Sequence, residues 1–168
     1  MTYDEWKTEH AIKKADIIRK KNLIDVGEIV EYFNFDNMVK NEQDFCPLYK
    51  DNIKCHNVET LNCYYCGCPY FKVNDKPKTV GKTTIASVCI IDSKYKDEFY
   101  ENPDEHNVVK IHCDCSNCFI PHKPSFTKKM LTQTLLDNTN IRDFNSILEY
   151  MRNKQLKWQK ENDTIDSY

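Results

Sequence analysis

Apolar side chains recur at helical spacing near the start of the chain and lose that rhythm in its middle. Thr2-x-x-Glu5 has the form of a capping box, in which a hydroxyl and a carboxylate satisfy the first free amides of a helix, and Ala11, Ile12, Ala15 and Ile18 then share one face. Asp25-x-x-Glu28 repeats the start signal, followed by Val26, Ile29, Val30 and Phe33 at i, i+3, i+4 and i+7. This second helix is short and amphipathic, and Phe35 and Met38 extend its apolar face. From Cys46 to His122 helical periodicity stops, and Pro47, Pro69, Pro77, Pro103 and Pro121 interrupt the backbone, which predicts loops. Two segments there, Thr83 to Ile91 and Val108 to His112, are rich in β-branched residues and read as strands. Asn102 to Asn107 reads as an exposed turn, and Gly81-Lys82 as a turn leading into a strand. Beyond Pro124, the positions of Met130, Leu131 and Leu135 predict a helix, and Ile141, Phe144, Leu148 and Met151 predict another.

The expected fold is α+β, small and irregular, with short strands in a loop-rich centre flanked by N- and C-terminal helices. The 168 residues fit a single domain. Within it, N-terminal helices take up 1–40, a cysteine-rich core 41–125, C-terminal helices 126–160 and a frayed tail 161–168.

Composition sharpens this picture. Apolar residues make up 40% of the chain and charged residues 30%, so the core is thin for the length and needs help. The net charge of -2 argues against binding nucleic acid by charge alone. No run of apolar residues is long enough to span a membrane, and the first residues lack the basic start and apolar stretch of a secretory signal. A cytoplasmic location is therefore expected. Thiols are kept reduced there, so the nine cysteines, an odd number, read as metal ligands or redox groups rather than as disulfides.

Candidate ligands cluster in the centre: Cys46, Cys55-His56, Cys63-x-x-Cys66-x-Cys68, Cys89, and Cys113-x-Cys115-x-x-Cys118 with His122 four residues on. A C-x-x-C pair can form a tight turn whose two thiolates and nearby amides face one cation, and two such turns supply the four soft ligands that tetrahedral zinc prefers. The candidates outnumber the positions on one zinc ion, so two sites are expected. The partition expected is Cys63, Cys66, Cys115 and Cys118 in one, with the other drawn from Cys46, Cys55, His56, Cys68, Cys89 and His122. His112 adjoins the set. Cys113 is equally readable as a small buried apolar residue, and His10 and His106 as structural or exposed side chains. The same thiols suit an iron–sulfur cluster, with Cys63, Cys66 and Cys68 offering three compact ligands, although the ferredoxin run is absent. Val80-Gly81-Lys82-Thr83 is not a phosphate loop, because Lys76 stands where that motif needs glycine.

The succession Cys46-Pro47-Leu48-Tyr49, Cys55-His56, Asn62-Cys63-x-x-Cys66-x-Cys68-Pro69-x-Phe71, Cys89 and Asp114-Cys115-Ser116-Asn117-Cys118-x-x-Pro121-His122 resembles the bacterial and archaeal cysteine-rich small domain family. That family is described as zinc-finger-like and metal-binding. The resemblance covers roughly the middle half of the chain and implies Cys46, Cys55, His56, Cys63, Cys66, Cys68, Cys89, Cys115, Cys118 and His122 as metal ligands, with Cys113 outside the pattern. The flanking helices are not covered by it.

Three functions follow as expectations. The first is a zinc-stabilised structural module that engages a protein partner, since closed Cys/His sets are most often structural. The second is an iron–sulfur or thiol redox protein. The third is a zinc-dependent nucleic-acid binder using Lys13, Lys14, Arg19, Lys20 and Lys21, or Lys123, Lys128 and Lys129, with Tyr64, Tyr65 and Tyr70 stacking on bases; the balanced charge disfavours it. The surplus of ligands points away from an enzyme, because a catalytic zinc keeps a coordination position open.

Overall fold

Thr2 starts the first helix by the expected capping box: its Oγ1 accepts from Glu5 N at 3.2 Å and Glu5 Oε2 accepts from Thr2 N at 2.7 Å. In this computed structural model, which describes residues 1–136 apart from 75 and 92, helix α1 runs over Tyr3–Lys21 and ends at Asn22 in the left-handed region (φ 56°). Of the expected apolar face only Ile18 packs against the core. Ala11 and Ala15 are exposed and Ile12 is 58% exposed, whereas Tyr3, Trp6, His10, Lys14 and Ile17 turn inward at helical spacing. The rings decide the rotation: Trp6 lies tilted against His10 and His10 meets Phe45 edge-on, and aromatic rings bury far more area than alanines do.

Asp25 caps helix α2 (Val26–Tyr32), its Oδ1 accepting from Glu28 N at 2.8 Å. The apolar face predicted to run on through Met38 is broken at Asn34, an extended residue that opens helix α3 (Phe35–Asn41). The segment Leu61–Cys63 lies in that break. Phe35 N donates to Leu61 O and Cys63 N to Phe33 O, each at 2.8 Å, and Asn34 bridges Asn62 in antiparallel fashion. Phe33, Met38 and Leu61, all almost wholly buried, join Ile17, Phe35, Phe45, Tyr49 and Cys63 in the core cluster. Apolar packing is thus concentrated on the helical side of the molecule.

The strands are short and lie in two sheets. Strands β1 (Phe71–Val73) and β4 (Ser87–Cys89) pair antiparallel, with Phe71 opposite Cys89. Strands β2 (Thr79–Val80), β3 (Thr83–Ile85), β5 (Asp97–Tyr100) and β6 (Val109–Asp114) form a second sheet in the order β2-β3-β6-β5, with β3 and β6 parallel. The predicted strand Thr83 to Ile91 is therefore two: at Ala86, which donates to Ile111 O and accepts from Asn74 N, the chain passes from one sheet to the other. Gly81 (φ 63°) and Lys82 make the two-residue β2–β3 turn, as the sequence suggests, and Asp104 Oδ1 closes the exposed turn before β6 through the amides of His106 and Val108. A 3-10 turn at Ile120–His122 leads into helix α4 (Pro124–Leu136), which packs against α2. The architecture is an irregular α+β mix with helices at either end of the described chain. The predicted helix over Ile141 to Met151 and the tail lie outside the described residues.

Candidate metal centre

Each candidate ligand is delivered by a different local device. Cys46 precedes the 3-10 turn Pro47–Asp51 and accepts from Tyr49 N at 3.1 Å. Cys55 and His56 sit in the loop that follows, held where Lys54 Nζ donates to Val58 O (3.2 Å) and Glu59 O (2.7 Å). Cys63 is fixed by the α2–α3 break. Gly67, between Cys66 and Cys68, lies under the Trp6 ring, where an added Cβ would stand 2.8 Å from Trp6 Cζ3. Cys68 opens the turn into β1, and the β1–β4 register carries it toward Cys89. Cys113 lies near the end of β6, and Cys118 N donates to Cys115 O at 2.9 Å in a tight C-x-x-C turn that Asp114 Oδ1 braces through Ser116 N.

Three ligand atoms converge closely. The Cys55 sulfur and one ring nitrogen each of His56 and His122 all lie within 4.8 Å of one another. Donors about 2.0–2.3 Å from one tetrahedral zinc are about 3.3–3.8 Å apart, so small adjustments bring this trio to a common ion. Both histidines are prepared for it. His122 Nδ1 lies 3.2 Å from Asn62 O, which leaves Nε2 as the free lone pair, and His56 Nδ1 stands 3.2 Å from the Cys55 sulfur. Burial lowers the pKa of both, His122 to about 4 with the neighbouring His56 adding to the effect, so both are neutral and able to ligate near pH 7.

Asn62 holds this arrangement from behind, and sequence reasoning gave it no role. Its N–H donates to His122 O at 2.7 Å, so the two residues are tied in both directions. Its wholly buried side chain donates to Val30 O (2.7 Å) and Asn34 Oδ1 (3.1 Å), and accepts from Tyr64 N and Thr127 Oγ1 (both 3.1 Å). A polar residue in a loop-rich segment carries no sequence signal for such a position.

All nine cysteines are free thiols. Burial pushes the Cys63 and Cys66 thiols up to about 12, and nearby thiols add to it: Cys66, Cys55 and Cys46 act on Cys63, and Cys55 and Cys46 on Cys66. The buried Tyr49 hydroxyl acts in the opposite sense on Cys63, favouring its thiolate. Five thiols, Cys68, Cys89, Cys113, Cys115 and Cys118, form a looser second group around one recess, with no three of their sulfurs as close together as the atoms of the trio. Burial raises Cys68, with Cys89 and Cys118 adding to it while the amides of Tyr70 and Phe71 favour its thiolate, and burial raises Cys115 with Cys113 and Cys89 beside it. The run Cys63-x-x-Cys66-x-Cys68 therefore divides between two groups, as in the expected partition; Cys115 and Cys118, expected with Cys63 and Cys66, line one recess with Cys66, Cys68 and Cys89. Between the groups is a recess of about 350 Å³ lined by His56, His122, Cys66 and the five thiols of the second group, with Tyr3 from α1 at its wall. Crowded thiols of this kind resist ionisation until a cation compensates their charge.

Residues near the centre but differently engaged complete the picture. His112 stacks on Phe99 and lies 2.7 Å from Glu101 Oε1. His10 belongs to the aromatic core and His106 is exposed. Tyr64, Tyr65 and Tyr70 pack internally, with Lys14 Nζ over the first two rings and Phe126 against the last two. Among the described residues, no helix is long and apolar enough to cross a membrane. No protein-family model, curated protein or solved structure matches the chain.

Proposed function

We propose that this chain binds zinc at two sites and serves as a metal-stabilised module for interaction with a protein partner, in keeping with its resemblance to the cysteine-rich small domain family. The convergence of Cys55, His56 and His122 carries the reading. In it the first ion is held by that trio, with the thiols of Cys46, Cys63 and Cys66 around Cys55 supplying the remaining position. The second ion takes its ligands from Cys68, Cys89, Cys115 and Cys118. Two all-protein ligand sets satisfy the requirement of structural zinc for closed tetrahedral coordination. They also account for a buried group that lacks a well-formed hydrogen bond: Tyr49 Oη gains a Cys63 thiolate to which it donates.

Elemental analysis and zinc titration of protein purified without oxygen test this. Two equivalents are expected, and fewer would remove the two-site reading. The second group is all sulfur and would equally hold an iron–sulfur cluster; visible absorption of the anaerobic protein, with iron in place of zinc, would assign it so.

A further inference from the structure

Cys113 lies outside the family pattern, yet its thiol stands within the second group. Cys113 Sγ is 3.5 Å from Cys115 Sγ, and both side chains line the recess together with Cys89. Alternate residues of an extended chain face the same way, so a C-x-C pair at the end of β6 presents two sulfurs to one point. Two thiolates bonded at about 2.3 Å to one tetrahedral zinc stand about 3.8 Å apart, close to the separation found here. The backbone holds this arrangement from the neighbouring strand: Cys113 N donates to Ser87 Oγ at 3.0 Å, and Ser87 begins the three-residue strand β4 that ends in Cys89. One hydrogen bond thus fixes the two cysteine-bearing strands against each other.

We propose that Cys113 is a ligand of the second ion, binding it beside Cys115 as a C-x-C pair. The proposal rests on the metal-binding reading above and adds to it a ligand that the family pattern omits. Five thiols then surround a site that takes four; the C-x-C pair occupies two adjoining vertices, and Cys113 displaces one of Cys68, Cys89 and Cys118 from the set named above. A cysteine that merely fills space at this position would leave the metal's properties unchanged when replaced by a residue of similar size.

The full-length zinc-loaded protein is treated with N-ethylmaleimide and its modified cysteines are identified by peptide mass spectrometry, before and after chelation. Cys113 and Cys115 are expected to be protected together and to become reactive together once the metal is removed. Modification of Cys113 at the rate of an unliganded thiol while Cys115 stays protected would overturn the proposal. In parallel, Cys113→Ser and Cys113→Ala are loaded with cobalt. Both are expected to lose part of the sulfur-to-cobalt charge-transfer absorption and to bind the second equivalent at least tenfold more weakly, with the first equivalent unaltered. A spectrum and affinity identical to the unsubstituted protein would refute the assignment. An unsubstituted chain that takes up only one equivalent removes the second site itself, an outcome distinct from failure at Cys113 alone.

Discussion

Asn62 shows how much a single polar side chain can hold. Its amide joins α2, α3, the Tyr64 backbone and α4 at once, in a position without solvent. Asn62→Ala strands Val30 O, Tyr64 N and Thr127 Oγ1 in the interior, and each buried polar group left unpaired costs about 1–3 kcal/mol. A loss of roughly 3 kcal/mol is expected in denaturant unfolding, and because Asn62 also orients His122, zinc affinity should fall with it. His10 offers a residue-scale test away from the ligands. Burial, then the charges of Lys13 and Lys14, lower its pKa from 6.5 to about 4. Between those values the unfolded chain binds a proton that the folded chain refuses, so its contribution to stability is full above about pH 6.5 and is lost as pH falls toward 4. An NMR titration of the His10 ring should find it neutral at pH 5.5; a charged ring at that pH would contradict its placement against Trp6 and Phe45.

At the scale of elements, helix α1 is the piece whose docking is easiest to disturb. Gly67 sits under Trp6 so closely that a methyl group there collides with a rigid ring. Gly67→Ala should cost about 1–3 kcal/mol by overpacking and shift the fluorescence of Trp6 as α1 lifts away. Unchanged stability would mean that α1 does not rest on the cysteine run. The elements also show where sequence reading succeeds and where it stops. Helix starts were legible because Thr2, Glu5, Asp25 and Glu28 act through their immediate neighbours in the chain. The buried face of α1 was misread except at Ile18, since Trp6 and His10 count as polar or ambiguous in an apolar pattern while Ala11 and Ala15 count as apolar. The break at Asn34 and the sheet change at Ala86 depend on partners far along the chain, Leu61 and Ile111, which no local pattern names.

For the molecule as a whole, the balance between packing and ligation is the main question. The largest buried apolar side chains gather around the three N-terminal helices, while β5 is exposed along its whole length and Val80, Ile85 and Phe99 lie open on the second sheet. The sheets therefore gain little from burial, and removing metal should loosen them before the helices. Chelation is expected to lower the melting temperature and to deprotect β1, β4 and β6 in hydrogen exchange, leaving α1 to α3 largely protected. An unchanged melt and exchange pattern would remove the metal from the account of stability. The candidate cysteines and histidines stood out in the sequence, because their spacing reports local turns, and the structure brings Cys55, His56 and His122 together. The partition expected from the sequence set Cys68 with Cys89, as the β1–β4 pairing does, but parted both from Cys115 and Cys118, which line the same recess.

The pairing of Asn62 with His122 also bears on how the protein comes into being. Cys46, Cys55, Cys63 and Cys66 are translated well before His122, and Thr127, which completes the hydrogen bonding of Asn62, comes later still. On the zinc reading proposed above, the first site is therefore complete only once His122 has emerged from the ribosome, long after Cys55 and His56.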